Sequence, residues 1–371
     1  MAKKILFCAS TVSHILNFHL PYLQSFHEQG YEVWVAADKQ TDVPYADRVV
    51  ALPFAKNILS FKNIKAVFLA RKLLKRENFE ILSTHTSLAS AVVRAAALLL
   101  HKRPKIVCTV HGYLFEEDSG LKKWIYLIPE KLCARVTDLL MVMNREDYEI
   151  AVEHRLCSGR IVCIDGMGIR LERFAPAQDG EKEQIRHEYH IPETDFVFVY
   201  AAEFSKRKNQ AFLIRAFAEI CRKYPQMRLI LAGKGALQED CRELARQLGV
   251  QDSICFPGHI ADIGHLYTAC DVCVSSSRIE GLPFNIMEAM ACGLPVIASD
   301  IKGHRELVAE GETGWLYQSG DSASLQEKLE FACQNRAFGE KLRKKCVSRL
   351  EPFELQTVLP KIMKNYEDIL K

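Results

Sequence analysis

The chain has 371 residues, enough for two domains of ordinary size, each with its own core. About half of it is apolar (49%) and a quarter charged (26%), as in a folded globular protein, and the net charge of +3 is too small to argue for nucleic acid as a partner. The 13 cysteines, an odd number scattered mainly through apolar stretches, fit reduced thiols in cytoplasm rather than a disulfide framework.

Met1-Ala2-Lys3-Lys4-Ile5-Leu6-Phe7-Cys8-Ala9 has the charge and apolarity of a signal peptide, but Ser10-Thr11-Val12-Ser13-His14 cuts it short. It reads as a first buried strand. Short apolar runs then alternate with helical periods, the pattern of parallel sheets wound with helices, an α/β class. Strands are expected at residues 4–9, 32–36, 48–52, 81–83, 105–110, 139–143 and 161–164, with helices at 16–29, 64–77 and 88–100 among them. The last of these helices contains Arg94 and falls short of the ~20 residues that span a bilayer, so no transmembrane helix is expected. Residues 61–76 and 121–128 mix lysine and arginine with aromatic and aliphatic side chains. Such segments suit an anionic membrane surface, and suit packed helices with a solvated cationic face equally well.

Phe174-Ala175-Pro176-Ala177-Gln178-Asp179-Gly180-Glu181 has the small and polar residues of a linker, placing a domain boundary near 172–185. The expected domains are residues 1–175 and 185–352. A second series of strands follows at 196–201, 228–232, 254–256, 272–275, 296–298 and 315–317, with amphipathic helices at 211–224 and 237–248. Two doubly wound domains are expected to face one another across a cleft, with ligands at the carboxyl ends of the strands.

The informative residues fall at those ends. His14, His85 and His111 each follow an apolar run in the first domain, which suggests polar contact with an acceptor. A metal site lacks carboxylate or cysteine spacing to support it, and none is expected. Cys270-Asp271-Val272-Cys273 runs into a strand pattern with no second pair, and is read as structural. Lys206, Arg207 and Lys208 follow the run 196–201 and are placed to neutralise a pyrophosphate, Lys208 first among them. Gly233, in Ala232-Gly233-Lys234-Gly235, fits neither a P-loop nor a dinucleotide fingerprint, but would let backbone approach a ligand. The backbone near His259 and Ile260 is a candidate reader of a base edge.

Arg278-Ile279-Glu280-Gly281-Leu282-Pro283-Phe284-Asn285-Ile286-Met287-Glu288 is the strongest signal. A Gly-Leu-Pro turn opens a helix where proline costs no hydrogen bond, leaving the amides of Phe284 and Asn285 to face an anion. Glu280 before the turn and Glu288 one turn inside the helix flank that anion. A nucleoside diphosphate sugar needs this arrangement: pyrophosphate at the helix start, ribose and sugar hydroxyls on the two carboxylates.

This element, with Ala289-Met290-Ala291-Cys292-Gly293-Leu294-Pro295-Val296-Ile297-Ala298-Ser299, resembles family 4 glycosyltransferases, the retaining GT-B group. Gly303-His304-Arg305-Glu306-Leu307-Val308 and Gly311-Glu312-Thr313-Gly314-Trp315-Leu316-Tyr317 add to the likeness. The first domain resembles the branch that makes capsular, exopolysaccharide or lipid-linked oligosaccharide chains, through Ser13-His14-Ile15, Phe18-His19-Leu20-Pro21, Thr109-Val110-His111-Gly112-Tyr113 and Pro129-Glu130-Lys131. The resemblance implies two Rossmann-like domains, while cysteine usage gives a cytoplasmic enzyme and the two basic and aromatic segments suit contact with the inner face of the cell membrane. It implies transfer of a sugar from a nucleotide donor, with UDP the expected nucleotide, to a saccharide or polyprenyl-diphosphate-linked saccharide. Retention at the anomeric carbon, and no metal or other cofactor, are implied as well. By the same likeness Glu280 holds the donor sugar's hydroxyls, Glu288 the ribose and Lys208 the diphosphate. His111 sits beside the reacting centre. The last helix, residues 355–371, returns to the first domain. Two positions depart from the family: Ala202-Glu203 stands where many relatives carry Gly-Arg, and Arg170 where they often carry Asp. A UDP-sugar epimerase of the same architecture, and a catalytically silent nucleotide-sugar-binding subunit, are the competing readings.

Overall fold

The computed structural model describes residues 3–55, 60–115, 120, 123–178 and 180–371. Leu121 and Lys122, at the start of the second basic and apolar segment, and Asp179 of the linker lie outside that set. The chain divides into two compact units, Met1–Gly168 with Gln356–Lys371, and Ile169–Leu355. The division at Gly168 falls a few residues before the boundary expected near 172–185, because Ile169 joins the second unit through backbone hydrogen bonds with Phe353 and Leu355.

The first unit holds a parallel sheet of β1 (Lys4–Cys8), β2 (Glu32–Ala37), β3 (Arg48–Ala51), β4 (Ile81–His85), β5 (Lys105–Val110), β6 (Leu139–Val142) and β7 (Arg160–Cys163). Their order is β3-β2-β1-β4-β5-β6-β7. The central strands are apolar on both faces because helices cover both, which is why they read as continuous hydrophobic runs instead of alternating ones. Ser60 caps α3 (Phe61–Glu77) by accepting from the Lys62 amide. α3 packs against α4 (Ser87–Leu98), as does α5 (Lys123–Ala134). Arg94, the charge inside the apolar run, is fully buried in α4 and donates two hydrogen bonds to Glu130 of α5, at 2.9 and 2.8 Å. A paired charge of this kind is at home in a protein core and not in lipid.

The helix expected over residues 16–29 is two helices, α1 (Val12–Phe18) and α2 (Leu20–Glu28), separated at His19. Pro21 has no amide to return to Asn17, so the ladder breaks there and restarts with Tyr22 and Leu23 donating to the His19 carbonyl at 3.0 Å.

In the second unit β8 (Phe196–Ala201), β9 (Met227–Ala232), β10 (Ile254–Gly258), β11 (Val272–Ser275), β12 (Val296–Ser299) and β13 (Gly314–Tyr317) form a parallel sheet ordered β10-β9-β8-β11-β12-β13. Each sheet reverses its winding once, between β1 and β4 in the first unit and between β8 and β11 in the second. Ligands of open α/β sheets bind at such points, outside the carboxyl ends of the strands.

Candidate active site

At the β8–β11 reversal, the loop after β8 meets the loop after β11. Arg278 donates its backbone N–H to the Arg207 carbonyl at 2.9 Å. Ser276 Oγ donates to the carbonyls of Lys208 and Asn209 at 3.0 and 3.1 Å, and Tyr200 Oη lies 2.7 Å from Ser277 Oγ. These bonds hold two short loops in one register, and the charged side chains converge across them. Lys208 Nζ donates to Glu280 Oε1 at 2.6 Å and Arg207 Nη1 to Glu280 Oε2 at 3.0 Å. Glu280 is only 6% exposed and Lys208 only 8%. Burial alone would raise the Glu280 pKa, but the two cations overrule it and hold the group at about 2. Glu280 is therefore an acceptor of hydrogen bonds at any physiological pH and is unfit to act as a general acid.

Gly303 sits where a Cβ would lie 2.7 Å from the Glu280 carbonyl, so only glycine lets the segment after β12 close on this loop. His304 beside it is buried, its Nδ1 donating to the Ser299 carbonyl at 2.7 Å and its Nε2 3.1 Å from Ser275 Oγ. Burial lowers its pKa to about 4, so it braces the loop as a neutral ring.

The helix Phe284–Ala291 starts after Pro283, whose extended backbone ends the turn Gly281-Leu282-Pro283. Phe284 and Asn285 open the first turn, where helix amides lack partners within the helix. Tyr267 Oη donates to the Asn285 carbonyl at 3.1 Å, while Asn285 Nδ2 is buried without a hydrogen-bond acceptor. That is an unspent donor at the positive end of a helix. Glu288 lies further along the same helix, and burial pushes its pKa up to about 7 against the opposing charge of Arg173. Sequence reasoning did not single out Arg173, which lies just beyond the first unit.

The other expected donor residues divide. Lys206 is exposed and lines a groove with Arg215 and Asp240, apart from the Glu280 network that Arg207 and Lys208 form. Arg207 therefore stands with Lys208 on Glu280, while Glu203, where many relatives carry arginine, is exposed. Gly233 has a local structural reason to be glycine: a Cβ there would lie 2.1 Å from the Ala202 carbonyl, at the end of β8. His259 is exposed and Ile260 partly so, just past the end of β10.

At the β1–β4 reversal of the first unit, four histidines come together. His14 Nε2 lies 3.3 Å from His111 Nε2, and His111 Nε2 lies 3.5 Å from His85 Nδ1. His19 is the fourth, with its ring centroid 3.8 Å from that of His85. Burial holds the pKa of His14 down at about 4 and those of His19, His85 and His111 well below the ordinary value, so all four rings are neutral. His85 Nε2 is 2.9 Å from Ser83 Oγ, which in turn meets Tyr366 Oη at 2.6 Å. The final helix, Leu355–Asp368, thereby fixes a ring of this cluster. One nitrogen each from His14, His19 and His111 lies within 4.8 Å of the others. Spacing gave no sign of such a set because His111 is far in sequence from His14 in α1 and His19 at the break after it. His19 appeared in the sequence only as part of a motif, yet Pro21 two residues on was the signal that the helix would break beside it.

The two units together have the GT-B architecture, and relatives place the chain further. Residues 22–173 match the model described as Glycosyltransferase Family 4, and residues 181–350 that of Glycosyl transferases group 1. EpsD of Bacillus subtilis is 38% identical over 332 residues, covering 89% of this chain and 87% of the relative. The Escherichia coli UDP-Gal:alpha-D-GlcNAc-diphosphoundecaprenol alpha-1,3-galactosyltransferase is 31% identical, covering 74% and 71%. Among solved structures, sucrose-phosphate synthase from Thermosynechococcus elongatus superimposes with a TM-score of 0.82 at 20% identity, covering 99% of each chain. The chain belongs to the GT-B glycosyltransferases, with a family 4 first domain.

Proposed function

We propose that this glycosyltransferase moves a sugar from a UDP donor, with retention at the anomeric carbon, to a saccharide or polyprenyl-diphosphate-linked saccharide in surface polysaccharide synthesis. The observation that carries this reading is the buried Lys208–Glu280 pair at the β8–β11 reversal, next to the first turn of the helix Phe284–Ala291. In this reading the donor's diphosphate takes over Lys208 and Arg207 and accepts from the helix amides and Asn285. The freed oxygens of Glu280 accept from sugar hydroxyls, and Glu288 accepts from the ribose. Charge that develops on the departing diphosphate is met by groups already in place, without a metal at this site. His14, His85 and His111 belong to the acceptor side, with His111 beside the reacting centre. The names of the relatives support the substrate class, since the Escherichia coli enzyme takes UDP-Gal to a diphosphoundecaprenol-linked sugar.

We place the enzyme in the cytoplasm with peripheral membrane contact. No helix among the described residues is long and apolar enough to cross a membrane. Both α3 and α5 nevertheless leave apolar side chains in solvent beside lysines, which suits a surface of anionic lipid.

The test is turnover of UDP-sugars with a polyprenyl-diphosphate-linked saccharide, the product's anomeric configuration being read by NMR. Retention and release of UDP are expected. Inversion, or conversion of the UDP-sugar with no acceptor present, would overturn the assignment. Replacing Lys208 by alanine is expected to lower kcat/KM by on the order of 10²–10³-fold, while the circular dichroism spectrum is unchanged.

A further inference from the structure

The histidine cluster of the first unit does more than satisfy its own hydrogen bonds. A ring nitrogen offers one in-plane site, either a hydrogen or a lone pair. His111 Nε2 has two close nitrogen neighbours, His14 Nε2 at 3.3 Å and His85 Nδ1 at 3.5 Å, and can pair fully with only one. His19 is in greater deficit: it is fully buried, and both its ring nitrogens lack any hydrogen-bond partner. An unpaired buried polar group costs about 1–3 kcal/mol, and a core position offers cheaper residues unless something collects the lone pairs.

The geometry points to a transition-metal site of the zinc class, in which His14, His19 and His111 each give one nitrogen to a single divalent ion. Tetrahedral zinc with Zn–N bonds of about 2.0–2.1 Å requires nitrogens about 3.4 Å apart. The His14–His111 separation of 3.3 Å already matches that edge, and the His19 nitrogen lies within 4.8 Å of both. A modest side-chain rotation closes the set. Each ring can present one nitrogen lone pair to the ion while its other nitrogen carries the proton. Imidazole ligands without carboxylate or backbone oxygen favour zinc, cobalt, nickel or copper over magnesium and calcium. Beside the set, Ser83, itself in contact with Tyr366 Oη, holds the His85 ring next to His111 Nε2. His14 and His111 keep partial exposure, which gives an ion a way in. Three protein ligands leave a fourth position for water. The site does not depend on the donor being UDP-linked.

The experiment uses the full chain, stripped with chelator and titrated with Zn²⁺ alone by calorimetry and with Co²⁺ alone by visible absorption. Expected are one equivalent bound, a rise of several degrees in melting temperature with zinc, and tetrahedral cobalt bands without the thiolate charge-transfer band of a cysteine site. The cobalt bands should be lost in H14A and H111A and kept in C270S and C273S. H19Q is the third ligand variant. If it fails to fold, H14A, at a partly exposed ring, decides alone. No saturable binding, or binding that H14A and H111A leave unchanged, overturns the site. Donor binding at Lys208 and Glu280 is measured separately by the thermal shift with UDP, so loss of the metal and loss of the transferase reading are distinct results.

Discussion

Glu280 and Glu288 are the same residue type, a loop and one helical turn apart, yet the fold sets them at opposite ends of the carboxylate range. Glu280 is held at about 2 because Lys208 and Arg207 outweigh its burial, and Glu288 is raised to about 7 because burial meets only Arg173. The consequences for stability have opposite signs. The Glu280 contribution is fully present above the ordinary 4.5 and is lost as pH falls through about 2. Glu288 favours its protonated form, so its burial costs stability as pH rises from 4.5 through about 7. If the ribose needs the carboxylate, UDP affinity weakens as pH drops below about 7, by at most about tenfold per pH unit. Isothermal titration with UDP between about pH 8 and about pH 5 should show that dependence in the native chain and a flat profile in Glu288→Gln. An equal slope in both would remove Glu288 from the ribose. The pair itself was legible in the sequence, because turn chemistry and a helix start fixed where each would sit. Their protonation was not, since it depends on which cations the neighbouring loop delivers.

At the scale of elements, most strands and helices announced themselves through period and punctuation, and the exceptions have named causes. The break between α1 and α2 follows from Pro21 and is what sets His19 apart from a continuous helix. The greasy run around Arg94, too short to span a bilayer, is core, and its guanidinium finds Glu130 on α5 as a core tie. Losing one partner of such a buried pair costs about 3–5 kcal/mol. The lipid-facing candidates are instead α3 and α5. Phe61 is 86% exposed, Ile64 52% and Phe68 61%, on a helix that also carries Lys62, Lys65 and Lys72 in solvent. α5 adds Trp124, Ile125, Ile128 and Leu132. A Phe61→Ser/Phe68→Ser variant is expected to lose most of its co-sedimentation with anionic vesicles, since each phenylalanine buried in lipid contributes about 1.5–3 kcal/mol. Its turnover of a water-soluble acceptor should be unchanged. Retained vesicle binding would reassign this face to a protein partner or to plain solvent.

For the whole molecule, the final helix links the two ends of the chain to one core. Val358, Ile362, Met363 and Tyr366 are buried in the first unit, although the second unit separates them from it in sequence. Four side chains at about 1.5–3 kcal/mol each approach the entire stability of a domain, about 5–15 kcal/mol. Ending the chain after Leu355 should therefore melt the first unit at a lower temperature in calorimetry. The second unit should keep its own transition and its stabilisation by UDP. A single transition, lowered as a whole, would mean that the units unfold together.

Local chemistry and periodicity were enough to determine two parallel α/β sheets, the Gly-Leu-Pro helix start with its two glutamates, and the lysine and arginine run after β8. Each depends on residues adjacent in the chain, whose backbone preferences and apolar spacing need no distant partner. Only the tertiary structure decided that Arg207 and Lys208 close on Glu280 while Lys206 does not, and that His14, His19, His85 and His111 meet at the turning point of the first sheet. Those meetings are made where a parallel sheet reverses its winding and brings loops far apart in sequence side by side, a juxtaposition that no spacing along the chain encodes.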